Sequence, residues 1–310
     1  MTAPAVGGPA ALSLWWDQLL HHDRVLTLPV ELPWFGEVSG RGVFNLYVTL
    51  VVLAVGGVAV AVLRQPELRT RWTTWVLIAP VVGIPIWLGR GPTALLAVVL
   101  AVLAVVEFAR LVALPTAETW LLLALAVVYP VAAWQWPDLL FLAPAIALGC
   151  ALPAILRGDT ALGVERAAFT AFGSIWLCWS LAHLVVLWED AFVVVFAAAA
   201  ADVAAYAGGK SLRRFRWAAR PLSPLSPNKT VGGLVGAVAG AVLILLVLGE
   251  LSVGMVVAVA VGGVLGDLLE SMMKRRAGVK DAGAWLPGFG GLLDRVDSLL
   301  VVLPLAAVLG

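Results

Sequence analysis

From Val43 to the C-terminus, apolar runs follow one another with the charged residues confined almost entirely to the connections between them. A helix needs about 20 such residues to cross the hydrocarbon of a bilayer. Lipid also offers no partner for an open backbone, so segments of this kind must be helices. We place spans at residues 43–63, 72–89, 93–110, 119–135, 138–156, 168–188, 191–208, 232–249, 252–270 and 295–310. Ten is the count, falling to nine or eight if the shorter runs re-enter the membrane or pack as half-helices. With 62% hydrophobic residues, 13% charged and a mean hydropathy of +1.01, the 310-residue chain is far from a soluble composition, in which about a quarter of residues are charged. The expected fold class is an all-α, polytopic transmembrane helical bundle of 8–10 spans.

The apolar patch at residues 11–16 is too short to cross a bilayer, and Trp15, Trp16 and Trp34 suit the headgroup zone. Residues 1–42 therefore read as an interfacial, extracytoplasmic segment. No basic stretch leads into a long apolar one, so a cleaved signal peptide is not expected. Residues 43–190 form an N-terminal set of transmembrane helices, and residues 191–310 form the C-terminal region that carries the chemistry. Alternate connections collect 17 of the 20 basic residues on one side, leaving Arg24, Arg41 and Arg90 for the other. Basic loops are retained in the cytoplasm, so the polar loops face the cytoplasm from the cell membrane. A net charge of +1 gives no case for a nucleic-acid partner.

Residues 266–298 hold ten charged side chains between two apolar runs. If the preceding run continues as a helix, Asp267, Glu270, Ser271 and Lys274 share one face at i, i+3, i+4 and i+7. Asp294 and Asp297, at i and i+3, point the same way from a helix start, where the dipole favours negative charge. The intervening glycine- and proline-rich turn, with Gly288, Gly290, Gly291 and Lys280, offers backbone N–H groups to phosphate oxygens. Carboxylates for a divalent metal, cations for phosphate and a glycine loop together suggest phosphoryl or nucleotidyl transfer.

Earlier in the chain, Asp202 lies near the end of an apolar run, with Tyr206 and Lys210 one and two turns on. A carboxylate at that depth is costly, which makes it a site candidate, with a pair to Lys210 as the bland reading. Ser226, Lys229 and Thr230 feed into a helix start that suits an anion. Glu107 and Arg110 stand at i, i+3 and read as an ion pair at a helix end. His183, Cys150 and Cys178 read as packing residues, and His21-His22 as a solvated pair. Glycines at 232, 236 and 240, and at 262 and 266, read as close packing inside one bundle, with a homodimer as the alternative.

Ser271-x-x-Lys274-Arg275, Lys280-Asp281, Pro287-Gly288-x-Gly290-Gly291 and Asp294-Arg295-x-Asp297 resemble the C-terminal signature of the CDP-diacylglycerol synthase (phosphatidate cytidylyltransferase) family. Asp202, Tyr206, Ser226, Pro227, Lys229, Thr230 and Gly233 resemble the loop that precedes it. Phe289 stands where the family usually has His, and a phenyl ring can neither donate a hydrogen bond nor take a proton.

The resemblance implies transfer of CMP from CTP to phosphatidate, with Asp267, Asp294, Lys280 and Asp281 as catalytic residues. It implies Mg²⁺ on Asp267, Asp294, Asp297 and Asp202. Substrate binding falls to Ser226, Lys229, Thr230, Ser271, Lys274, Arg275, Gly288, Gly290, Gly291 and Arg295. The alternatives are a CTP-dependent polyprenol or phytol kinase and a catalytically altered paralogue. A transporter is disfavoured, because the spans hold almost no charge.

Overall fold

The computed structural model describes residues 29–32, 36–63, 66–279 and 291–310, and the chain divides into two compact units, Met1–Gly83 and Ile84–Gly310. Trp15, Trp16, Trp34, His21 and His22 lie outside the described residues.

In the first unit, β1 (Pro29–Leu32) and β2 (Gly36–Ser39) pair antiparallel with Val30 opposite Val38, and α1 (Gly40–Leu63) follows at once. α2 (Pro66–Leu88) begins in this unit. Its Trp72 lies flat against Gly56 and Gly57, where any Cβ would come within 3.1 Å of the indole, and Trp72 Nε1 donates to the Leu53 carbonyl at 2.8 Å.

The second unit is the helical bundle. α3 (Arg90–Leu111) and α4 (Thr116–Gln135) are long and continuous. The next apolar stretch is broken by prolines into a 3₁₀ turn (Pro137–Leu142), α5 (Ala143–Gly149) and α6 (Leu152–Arg157). α7 (Gly163–Gly173) passes through a π-helical turn at Ser174–Trp179 into α8 (Ser180–Val186), and Ser180 Oγ donates back to the Ile175 carbonyl at 3.1 Å. Phe108, Phe172 and Trp176 cluster at the centre, over the spot left open by Gly173, where a Cβ would stand 2.8 Å from the Phe108 ring. Cys150 and Cys178 are buried free thiols, and His183 is a packing residue whose Nδ1 sits 2.9 Å from the Trp179 carbonyl.

The C-terminal helices position the chemistry. α9 (Trp188–Ser211) and α10 (Val231–Leu248) touch backbone to backbone: a Cβ on Gly208 would stand 2.8 Å from the Gly232 carbonyl, and one on Gly236 would strike the Ala204 carbonyl. That approach brings Asp202 on α9 to the residues that enter α10. α11 (Val253–Arg276) packs in the same way against the turn formed by α12 (Leu293–Val296) and against α13 (Leu299–Leu309). Gly262 faces Val302, and Gly266 faces Asp297 and Ser298. Both glycine repeats thus pack within one chain.

Among the described residues, eight runs are long and apolar enough to cross a membrane: Phe44–Val62, Arg90–Leu111, Thr116–Gln135, Pro137–Arg157, Gly163–Val186, Trp188–Arg214, Val231–Leu248 and Val253–Arg276. The chain is an all-α, multi-pass membrane protein at the low end of the expected count. The runs expected at 72–89 and 295–310 are shorter than a span. The apolar part of the first is Val76–Leu88, and the second is the 11-residue α13, which starts only after the charged turn has been tied to α11.

Candidate active site

Two lysines organise the polar end of the bundle. Lys229 lies just before Thr230, whose Oγ1 caps α10 by accepting the Gly233 N–H at 3.2 Å. The incoming loop is clamped by its backbone: Leu222 N–H to the Lys229 carbonyl (2.7 Å), Val231 N–H to Arg220 (3.0 Å) and Gly232 N–H to Ala218 (2.9 Å). From this fixed base Lys229 Nζ pairs with Asp267 Oδ2 and stands 3.9 Å from Asp202 Oδ1.

Lys274, two turns beyond Asp267 on the same face of α11, donates to Glu270 Oε2 at 2.5 Å and to Asp294 Oδ1 at 2.7 Å. The other oxygen of Asp294 takes the Gly291 N–H at 2.9 Å. Asp297, 8% exposed, accepts the Ser298 N–H at 2.8 Å, and its backbone packs on Gly266 next to Asp267, so the two lysine clusters share one face of α11 and the turn against it.

Burial works to raise the Asp294 carboxyl, yet its hydrogen bonds with Glu270, Lys274 and the Gly291 N–H hold it below the usual carboxylate range. Burial wins at Asp297, whose carboxyl is pushed up to about 6. Glu270 is 2% exposed and within hydrogen-bonding reach of Asp294 and Asp297, while its Oε1 has no donor against it. Acidic oxygens gathered in this way require a shared proton or a cation.

The expected ion pair between Glu107 and Arg110 is not formed. Arg110 is exposed at the end of α3, whereas Glu107, 3% exposed, turns inward: Oε1 accepts the Leu292 N–H at 2.8 Å and Oε2 the Leu293 N–H at 2.7 Å. Hydrogen bonds to a charged acceptor are worth roughly 1.5–3 kcal/mol each, and without them two amide donors would be stranded at the start of α12. A carboxylate inside an apolar run was a readable signal, but its partner lies 185 residues away and no local spacing points there.

Asp202, Lys229, Asp267, Lys274, Asp294 and Asp297 thus come together. Lys210 does not pair with Asp202; its Nζ lies 6.0 Å from the Tyr206 ring. Ser271 is half-buried on α11, Arg275 and Arg295 are exposed, and Ser226 holds its own turn through a backbone bond to Ser223 (3.3 Å). Arg276 pairs with Glu165 and lies over the Phe169 ring at 4.3 Å, tying the end of α11 to α7. Lys280, Asp281, Gly288, Phe289 and Gly290 lie outside the described residues.

Among the described residues no three His, Cys, Asp or Glu side chains converge to enclose a metal by themselves. The donors still fit Mg²⁺, a hard cation that takes one or two carboxylates and completes its shell with water and substrate phosphates. The carboxylate pairs now bridged by ammonium groups, and the donorless Glu270 oxygen, supply that chemistry.

A profile of the cytidylyltransferase family matches residues 69–310. Over 137 residues the chain is 41% identical to a Helicobacter pylori protein named phosphatidate cytidylyltransferase, covering 42% of this chain and 44% of that one. A Synechocystis protein of the same name is 46% identical over 117 residues, covering 34% and 38%. These alignments span less than half the length of either relative. A Staphylococcus haemolyticus protein, also so named, is 31% identical over 265 residues, covering 76% of this chain and 97% of its own length. The chain belongs to the cytidylyltransferase family.

Proposed function

We propose that the protein is a phosphatidate cytidylyltransferase, transferring CMP from CTP to phosphatidate to give CDP-diacylglycerol and pyrophosphate for phospholipid synthesis. The observation that carries this reading is the joining of two lysine-centred acid clusters at one end of a membrane bundle, in a chain whose family relatives are named for this reaction.

The attacking group is a phosphate oxygen, already a nucleophile, so the task is to hold two polyanions in line and neutralise them. A phosphatidate oxygen bonds to the α-phosphorus of CTP as the bond to pyrophosphate breaks. Of the two lysines Lys229 is the more accessible, and phosphate oxygens compete with Asp267 and Asp202 for it. Lys274 stays fixed and sets the positions of Glu270 and Asp294. Asp267, Asp294, Asp297 and Asp202 would hold Mg²⁺, which when bound neutralises phosphate charge and the leaving pyrophosphate. The site faces the cytoplasm, the side of CTP, as the distribution of basic loops implies. Phosphatidate enters laterally from that leaflet.

The test is incubation of purified protein with CTP, phosphatidate and Mg²⁺, with lipid products followed by mass spectrometry. CDP-diacylglycerol is expected, and Asp294→Asn is expected to lower its formation ~100-fold or more. A product phosphorylated on a lipid alcohol would move the reading to a polyprenol-type kinase. Absence of CDP-diacylglycerol from both the wild type and Phe289→His would overturn it.

A further inference from the structure

We infer that Glu107 is the positioning residue of the acidic turn: it fixes Asp294 relative to Lys274 by holding the two residues that precede it. The inference rests on the cytidylyltransferase reading for its kinetic consequence only. Four observations lead to it. Glu107 is 3% exposed and lies on α3, apart in sequence from every other polar residue of the site. Both its oxygens are spent on Leu292 and Leu293 N–H groups, at 2.8 and 2.7 Å. Gly291, the residue before them, lies so close to the carboxylate that a Cβ there would stand 2.6 Å from Oε2 and 2.9 Å from Oε1. The same Gly291 gives its own N–H to Asp294 Oδ2 at 2.9 Å.

The chain of contact is short. Glu107 holds the 291–293 backbone, that backbone orients the Asp294 carboxylate, and Asp294 takes Lys274 at 2.7 Å. Glu107 touches no reacting atom. Its place near the end of a span, where an unpaired carboxylate is expensive, is explained by this task. So is the glycine at 291, because a methyl group there would displace the carboxylate. The α3 span and the C-terminal turn are thereby joined through one side chain.

The variant is Glu107→Gln, which keeps the shape but turns an amide NH₂ toward an N–H donor. Two readouts separate positioning from stability. Hydrogen–deuterium exchange on detergent-purified protein reads the turn without substrate: residues 291–296 are expected to exchange at least tenfold faster in the variant, with α4 and α7 unchanged. Steady-state kinetics are expected to show kcat lowered about 10–100-fold, the usual range for a residue that orients a functional ligand, with KM for CTP changed less than threefold. In the Glu107→Gln/Asp294→Asn double variant the loss is expected to be no greater than in Asp294→Asn alone, because the two act in series.

Gly291→Ala approaches the same contact from the turn and serves if Glu107→Gln does not fold; it is expected to give the same exchange and kinetic pattern. Unchanged exchange at 291–296, or losses that multiply with those of Asp294→Asn, would overturn the inference. A wild-type protein that makes no CDP-diacylglycerol would sink the reaction, while the exchange experiment still decides the role of Glu107.

Discussion

The two lysines of the site make the same kind of contact in opposite settings. By side chain alone, Lys274 is 14% exposed, between Glu270 at 3% and Asp294 at 14%; Lys229 is 31% exposed, between Asp267 at 16% and Asp202 at 68%. The inner triad is a desolvated charge network whose members cannot be removed singly without stranding a partner. The outer triad is wet, so its ion pairs contribute little to stability and exchange readily for an incoming phosphate. The same residue types thus sit in different settings: Lys274 ties the inner carboxylates together, and in the proposed reaction Lys229 is the lysine that would take substrate phosphate.

Four substitutions sharpen or break that contrast. Lys274→Met has the largest expected effect, because it leaves two neighbouring carboxylates in a buried space: stability falls by about 3–5 kcal/mol, read by thermal unfolding in detergent, and CDP-diacylglycerol formation disappears. Lys229→Met is expected to lower activity ~100-fold, the scale of losing one transition-state donor, while stability moves by about 1 kcal/mol or less. Equal destabilisation by the two would erase the distinction between an inner and an outer cluster. Asp202→Asn, at the most exposed position, is expected to lower activity less than Lys229→Met does and to raise the Mg²⁺ concentration needed for half-maximal rate, while stability moves by no more than ~1 kcal/mol. Arg110→Gln is expected to leave kinetics and stability at wild-type values, within about 0.5 kcal/mol. A loss as large as that of Glu107→Gln would restore the ion pair that the local spacing suggested.

The membrane bundle was legible because lipid imposes one rule on every span, and runs such as Val231–Leu248 obey it without exception. The gathering of Asp202, Lys229, Asp267 and Asp294 was legible as a pattern of residue types, although nothing local said which lysine meets which acid. Helical spacing placed Lys274 beside Glu270, and the structure agrees. Spacing equally placed Arg110 beside Glu107, and there it fails, because two amide donors at the start of α12 outbid a solvated guanidinium. The length of the last helix was also hidden. The run at 295–310 reads as a span, whereas its first residues belong to the charged turn tied to α11, and the helix starts only at Leu299.

The most direct test of the account is the fate of each CTP phosphorus in the presence of phosphatidate and Mg²⁺. With label at the α-position the radioactivity is expected in the lipid product of the wild type, weaker by ~100-fold or more in that of Asp294→Asn, and with label at the γ-position it is expected in pyrophosphate alone. Label passing from the γ-position into lipid, or α-label transfer undiminished in Asp294→Asn, would contradict the site and the reaction assigned to it.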